Sequence, residues 1–448
     1  MMALLILAAC DQAERAIGSA VGPRKAIAEL KYAGDRPDVP PLEERGNSVF
    51  SAAAFDETGQ LLVTQPFFGT ARMQVWDVAK GTLVSGFDAI VPNPGSRNIW
   101  MIDGRNKRIF ARTGNNDGFA LFDLMTGQAI AVIADTDDGA GGKRPPLPAF
   151  REPYAVGLTA DGKQALIFKP GAMELWNVET ATLARREPSP FTQQRFFPAA
   201  TGGTPGSTYT DKHSWEWSAD RRTLAMAFTP EEPVNSTTEY MLLDTTTLEL
   251  QRIAVPEAAG SRTFTSFAFS PDKRWLAVGN HEEVWLYDRT TREWVRSMQG
   301  EQHRSNALAP MRFTADSTRL IALGDQLQIN VFDVNTGTRL GRHAPAFDQF
   351  EGEIKVSADG SRIVIYKFLS DIFEILDGND AKQLGWVCPY FCNVMHNPVQ
   401  PGYAVSPDGK SVAISHRRGA AVWDTAADTM RFPLRDPKRK PLPYPMQR

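Results

Sequence analysis

The chain has 448 residues, 42% hydrophobic and 23% charged, so it can bury a sizeable core as one large domain or two to three smaller ones. Its formal net charge of -3 lacks the basic excess that nucleic-acid binding demands. Three cysteines (Cys10, Cys388, Cys392) and six histidines exclude a disulfide-dense scaffold and paired C-x2-C zinc sites, and H-E-x-x-H is absent.

The chain opens on MMALLILAACD. Nine uncharged residues are too few to span a bilayer, which takes about 20. The stretch LAAC, Leu7–Cys10, resembles the lipobox of bacterial lipoproteins, where small residues precede a cysteine that is lipidated and becomes the new N-terminus. The resemblance implies a signal segment over residues 1–10 and lipid on Cys10. With Asp11 next, it also implies retention on the periplasmic side of the inner membrane. No Lys or Arg precedes the apolar run, and an ordinary apolar terminus on a cytoplasmic protein is the alternative. Residues 11–46 mix charge with Ala, Pro and Gly, and GDRPDVPPLEERG sustains neither a helix nor a central strand. This segment reads as a tether with at most one short helix before Tyr32.

From residue 47 to 434 the chain repeats. A large apolar residue followed by Asp or Asn recurs at Trp76-Asp77, Phe122-Asp123, Trp176-Asn177, Leu243-Asp244, Tyr287-Asp288, Phe332-Asp333, Leu376-Asp377 and Trp423-Asp424, at intervals of 46, 54, 67, 44, 45, 44 and 47. Upstream of each junction lies a turn: SPDK at 270, SPDG at 406, SADG at 357, TADG at 159, TADS at 314 and SADR at 218, with looser versions at 56 and 103. Each unit reads as four strands, for example TSFAFS, WLAVG, EVWLYD and WVRSM. Period-two alternation with β-branched and aromatic residues favours strands over helices. The Asx after the third strand starts a tight turn, and the Gly of DVNTG or DLMTG suits a left-handed loop position.

A lone sheet of this size cannot bury both faces, but eight in a ring can. The repeated junction and S-P-D-G turn resemble the WD-repeat and related bacterial β-propeller proteins, without the Gly-His pair of true WD repeats. The resemblance implies an all-β propeller of eight four-stranded blades, with seven blades and a loose extra unit as the alternative.

Insertions fall unevenly. The first-to-second and third-to-fourth strand turns are short, whereas segments 87–97, 134–153, 187–213 and 386–401 between units are long, as are 64–73 and 229–239 within units. In an antiparallel blade all six leave from one face of the disc. They are rich in the residue types that anchor interfaces: Phe67, Phe68, Arg195, Phe196, Phe197, Tyr209, Trp386, Tyr390 and Phe391. These residues are expected either to contact a partner or to fold down as a plug in the central channel.

Other motifs carry less. CPYFC places Cys388 and Cys392 four apart; the readings are a disulfide in an exported protein, a Cys-Cys-His metal site with His396, or two free buried thiols. GLTADGKQ, residues 157–164, nearly matches a phosphate loop, but Gln164 stands where a Ser or Thr is needed and the stretch falls on a repeat turn. DTDDGAGG (135–142) lacks calcium-loop spacing, and Glu231 and Glu232 read as a loop tip. G-x-S-x-G is absent. The tail over 435–448 is basic and Pro-rich, a second membrane contact or a solvated end. The expectation is a monomeric, non-catalytic interaction scaffold without cofactor or metal, lipid-anchored at the cell envelope and binding a protein or peptide through its insertion-bearing face. The alternative is a hydrolase or oxidoreductase with its site at the mouth of the central channel.

Overall fold

The computed structural model describes residues 26–31, 52–65, 72–90, 100–113, 118–134, 154–169, 172–189, 215–228, 239–254, 256, 266–279, 283–299, 311–323, 328–343, 352–367, 372–387, 402–416 and 419–425. They form eight four-stranded antiparallel blades, each ordered a-b-c-d from the centre outwards. Blade five has strands Ser266–Phe269, Trp275–Gly279, Glu283–Asp288 and Glu293–Gln299, one per segment read in the sequence.

Two local devices recur, and both arise from side chains bonding their own backbone. At six of the eight a–b turns a hydroxyl holds the loop closed. Ser218 Oγ donates to Asp220 Oδ1 at 2.7 Å and accepts from the Thr223 amide at 3.0 Å. The same geometry recurs at Thr159, Ser357 and Ser406, and in blade one the Asp56 carboxylate takes the hydroxyl's place, accepting from the Leu61 amide at 2.9 Å. At each c–d turn the Asx side chain accepts from the next amides: Asp123 Oδ1 receives those of Met125 and Thr126 at 2.8 Å. Gly127 and Gly337 then take φ near +74° at the loop position that requires it, as the TG dipeptides imply.

The core is divided into eight clusters, each straddling two consecutive blades. Leu166, Phe168 and Met173 of blade three pack on Leu224, Met226 and Met241 of blade four. Ala225, Ala227 and Tyr240, on the other side of blade four, pack on Phe267, Phe269 and Leu276 of blade five. Strand alternation therefore sends successive residues to opposite neighbours. The eighth cluster joins Ala404, Ala413 and Val422 of blade eight to Ala53, Leu62 and Trp76 of blade one, which closes the ring. Closure leaves each blade covered on both faces.

Two expectations need correction here. Residues 26–31, read as part of a tether, form strand Ala26–Lys31, which pairs antiparallel with Gly419–Asp424 and supplies the fourth strand of blade eight. The sequence count drew all four strands of that blade from within 47–434; the ring instead closes with a strand from the other end of the chain. The insertion at 87–97 also begins later. Strand Thr82–Ile90 continues past blade one, where Ala89 and Ile90 pair with Thr113 and Arg112 of blade two.

Candidate functional site

The a–b and c–d turns cover one face of the disc. The long connections leave and rejoin the described strands on the opposite face. Most residues singled out there, namely Phe67, Phe68, Arg195, Phe196, Phe197, Tyr209, Tyr390 and Phe391, lie outside the described residues, as do Cys10, Cys388, Cys392 and His396. Trp386 is described and is not a loop residue: it sits half-buried in strand Gln383–Val387 of blade seven, opposite Glu374. Its indole N–H is buried and unmatched by a hydrogen bond. The near-miss phosphate loop is a repeat turn, with Gln164 opening a strand.

The innermost strands border the central channel, and their middle positions can be aligned on the turn that follows each. Three are charged: Glu216 of blade four, Arg312 of blade six and Lys355 of blade seven. The others are small or apolar, with Gly157, Met101 and the alanines Ala54, Ala268 and Ala404. The position faces the following blade, since Ala268 packs against blade six and the Lys355 ammonium bonds the Tyr403 carbonyl of blade eight at 2.6 Å while lying over that tyrosine's ring. Gly157 suits this girdle: its φ is +147°, a backbone conformation that L side chains rarely adopt, and a Cβ there would press on the Met101 side chain.

Burial pushes the Glu216 carboxyl above its ordinary pKa, and the attraction of Arg312 only partly opposes that. The two residues are two blades apart, with Ala268 between, so their interaction runs along the channel wall. Arg312 itself is exposed. The girdle thus carries an acid that is costly to ionise and, two blades on, an open guanidinium. Sequence reading missed all three charges, because none repeats between units.

Two further polar features lie away from the channel. His343 Nε2 approaches Glu374 Oε2 to 3.3 Å between blades six and seven. Between blades four and five, Gln251–Ala254, Tyr287 and Arg292–Trp294 line an open groove of about 520 Å³, with the Trp294 indole bonded to the Ala254 carbonyl at 2.6 Å. Among the described residues no three His, Cys, Asp or Glu side chains could jointly hold a metal ion.

The architecture places the chain in the class of eight-bladed β-propellers with a WD40-like fold. The chain is similar to the crystal structure of the C-terminal WD40 domain of Sif2, with a TM-score of 0.58 at 10% identity over 90% of this chain and 99% of that one. It is similar also to the computationally designed Ika8 protein (0.54, 13%, 89% and 99%) and to the Dos1 propeller (0.53, 10%, 92% and 98%). Identities this low establish the fold alone. No family model and no curated protein matches the chain.

Proposed function

We propose that the chain is a non-catalytic scaffold that docks a protein or peptide partner on the face bearing its long connections. Lipid on Cys10 holds it at the cell envelope, on the periplasmic side of the inner membrane. One observation carries the docking part. The turns of one face are uniformly short and closed by two recurring hydrogen-bond patterns, so length varies only on the other face. A rigid disc presenting variable segments on one side is a binding platform, and the charged girdle lies at its centre. Among the described residues no helix is long and apolar enough to cross a membrane, and the proposed attachment rests on the Cys10 motif.

The test replaces residues 193–209 by a short Gly-Ser linker and, separately, Phe196 and Phe197 by Ser. Each variant is compared with the parent in crosslinking pull-downs from membranes and in thermal melts. Lost capture of a defined partner with an unchanged melt supports the docking face. Loss of both together assigns those residues to a channel plug. Membrane fractionation with Cys10→Ala tests the anchor: the variant should move to the soluble fraction.

The catalytic alternative draws on Glu216, a carboxylic acid of raised pKa in a channel, which is the profile of a general acid. Turnover abolished by Glu216→Gln with partner capture intact would favour it.

A further inference from the structure

Both ends of the described chain meet at one corner of the disc. Strand Gly419–Asp424 is the third of blade eight, so it runs from the face of the long connections to the face of the a–b and c–d turns. Thr425, the next residue, is fixed to that turn face. Its amide donates to the Lys410 carbonyl at 2.8 Å and its hydroxyl to the Gly409 carbonyl, both in the a–b turn of the same blade. Strand Ala26–Lys31 runs the opposite way along Gly419–Asp424, with a bulge between Ala26 and Ala28. Lys31 stands opposite Gly419 and Ala26 opposite Trp423, so the chain enters blade eight at the turn face, beside the point where the third strand ends. The residues before Ala26 and those after Thr425 therefore set out from the same face.

We infer that the turn face is held toward the membrane and the face of the long connections looks away from it, an orientation that rests on the lipid at Cys10 proposed above. Residues 11–25 separate Cys10 from Ala26, a reach of at most about 55 Å. With the turn face down, all of that reach lies between disc and bilayer. With the disc inverted, about 20 Å of it is spent crossing the rim, the length of a six-residue strand. The long connections, including 187–213, would then have to fit within what remains. Charge points the same way. The segment 435–448 has five basic residues against one acid, and basic residues near a bilayer are drawn to anionic headgroups. Acids of the turn face are offset by neighbouring bases, as in Asp220 with Lys273, Asp288 with Arg274 and Asp408 with Lys410. A partner docked on the long connections accordingly arrives from the aqueous side, not from within the bilayer that holds the lipid.

The test uses the lipid-bearing chain isolated from membranes and placed in vesicles of phosphatidylethanolamine and phosphatidylglycerol whose headgroups carry an energy-transfer acceptor. A donor fluorophore is attached through a non-natural amino acid at Thr246 or at Ala254, which leaves the native cysteines in place. Both positions are exposed, and they lie at opposite ends of the outer strand of blade four, Thr246 in the c–d turn and Ala254 just after Leu250–Ile253. Blade four is across the ring from blade eight, so the pair reports the tilt of the disc rather than the position of its attachment. Transfer should be severalfold stronger from Thr246. Equal transfer, which means a disc standing on its rim, overturns the inference, and so does stronger transfer from Ala254; in both cases the anchor at Cys10 stands. A parent chain that leaves the vesicles as readily as Cys10→Ala marks failure of the anchor itself and takes the orientation with it.

Discussion

The Trp176 indole donates to the Glu174 carboxylate at 2.8 Å inside blade three. Glu174 is fully buried on strand Ala172–Asn177, and Arg186 reaches its other oxygen from the neighbouring strand at 2.6 Å. The acid is therefore held by one neutral and one charged donor, in a core that would otherwise reject it.

Breaking this arrangement should be worse than replacing it. Arg186→Ala removes the charged donor from a fully buried carboxylate and should lose about 3 kcal/mol in denaturant unfolding. Glu174→Leu with Arg186→Leu removes both charges and should lose clearly less. An Arg186→Ala loss within about 0.5 kcal/mol would mean that the pair contributes no more than an exposed ion pair.

Glu216 should behave in the opposite way. Its folded pKa is raised by burial, so its proton is held more tightly in the folded chain than at the ordinary value of 4.5. Stability from that proton is complete below pH 4.5 and fades as pH rises through the folded value. Glu216→Gln fixes a neutral group at every pH. The variant should be more stable than the parent at pH 7, by on the order of 1 kcal/mol, and equal to it below pH 4.5. Urea unfolding at the two pH values decides; a variant less stable at pH 7 would mean that Arg312 fully compensates the charge.

The a–b turns set the acid limit of the fold. Burial works against the charge of Asp220, but the Ser218 hydroxyl, the Lys273 ammonium and the Arg222 amide outweigh it and lower the pKa from 3.8 to about 2. Asp161 and Asp408 are lowered against the same opposition from burial, and Asp316 chiefly by the Thr314 hydroxyl. For depressed carboxylates stability is present above the unfolded value and lost as protons enter the folded state. The acid transition should therefore fall between about pH 4 and pH 2. Ser218→Ala should be less stable at neutral pH by about 1 kcal/mol, with the gap closing toward pH 2, as fluorescence titrations of both proteins would show.

These turns were also what the sequence made plain. The Asx after strand c and the Ser or Thr before strand b act on backbone amides within five residues, so their chemistry is written locally and repeats. The eight blades followed from that repetition. The girdle was hidden for the converse reason. Glu216, Arg312 and Lys355 occupy equivalent positions whose counterparts are Ala, Gly or Met, and a charge becomes visible there only once units are aligned on the turn that follows. At Trp386 strand Gln383–Val387 runs directly into CPYFC with no turn signal between them, so the sequence does not separate strand from loop there. Strand Ala26–Lys31 was the hardest to see. AIAELK is as good a helix sequence as a strand sequence, and its partner Gly419–Asp424 lies at the other end of the chain.

That distant pairing makes the last prediction. Residues 26–31 close blade eight by bonding along Gly419–Asp424, from Ala26 opposite Trp423 to Lys31 opposite Gly419. Deleting residues 1–31 should bare this edge, forfeit about 3–5 kcal/mol of backbone hydrogen bonding and promote aggregation through the exposed strand. A synthetic AIAELK peptide should restore the lost melting temperature by adding back as a strand, whereas a scrambled peptide should not. Deletion of residues 1–25, which spares the strand, is the matched control and should melt like the full chain. If removal of residues 1–31 leaves the melt unchanged, the fourth strand of blade eight must come from the chain after Thr425, as the count of units in the sequence had it.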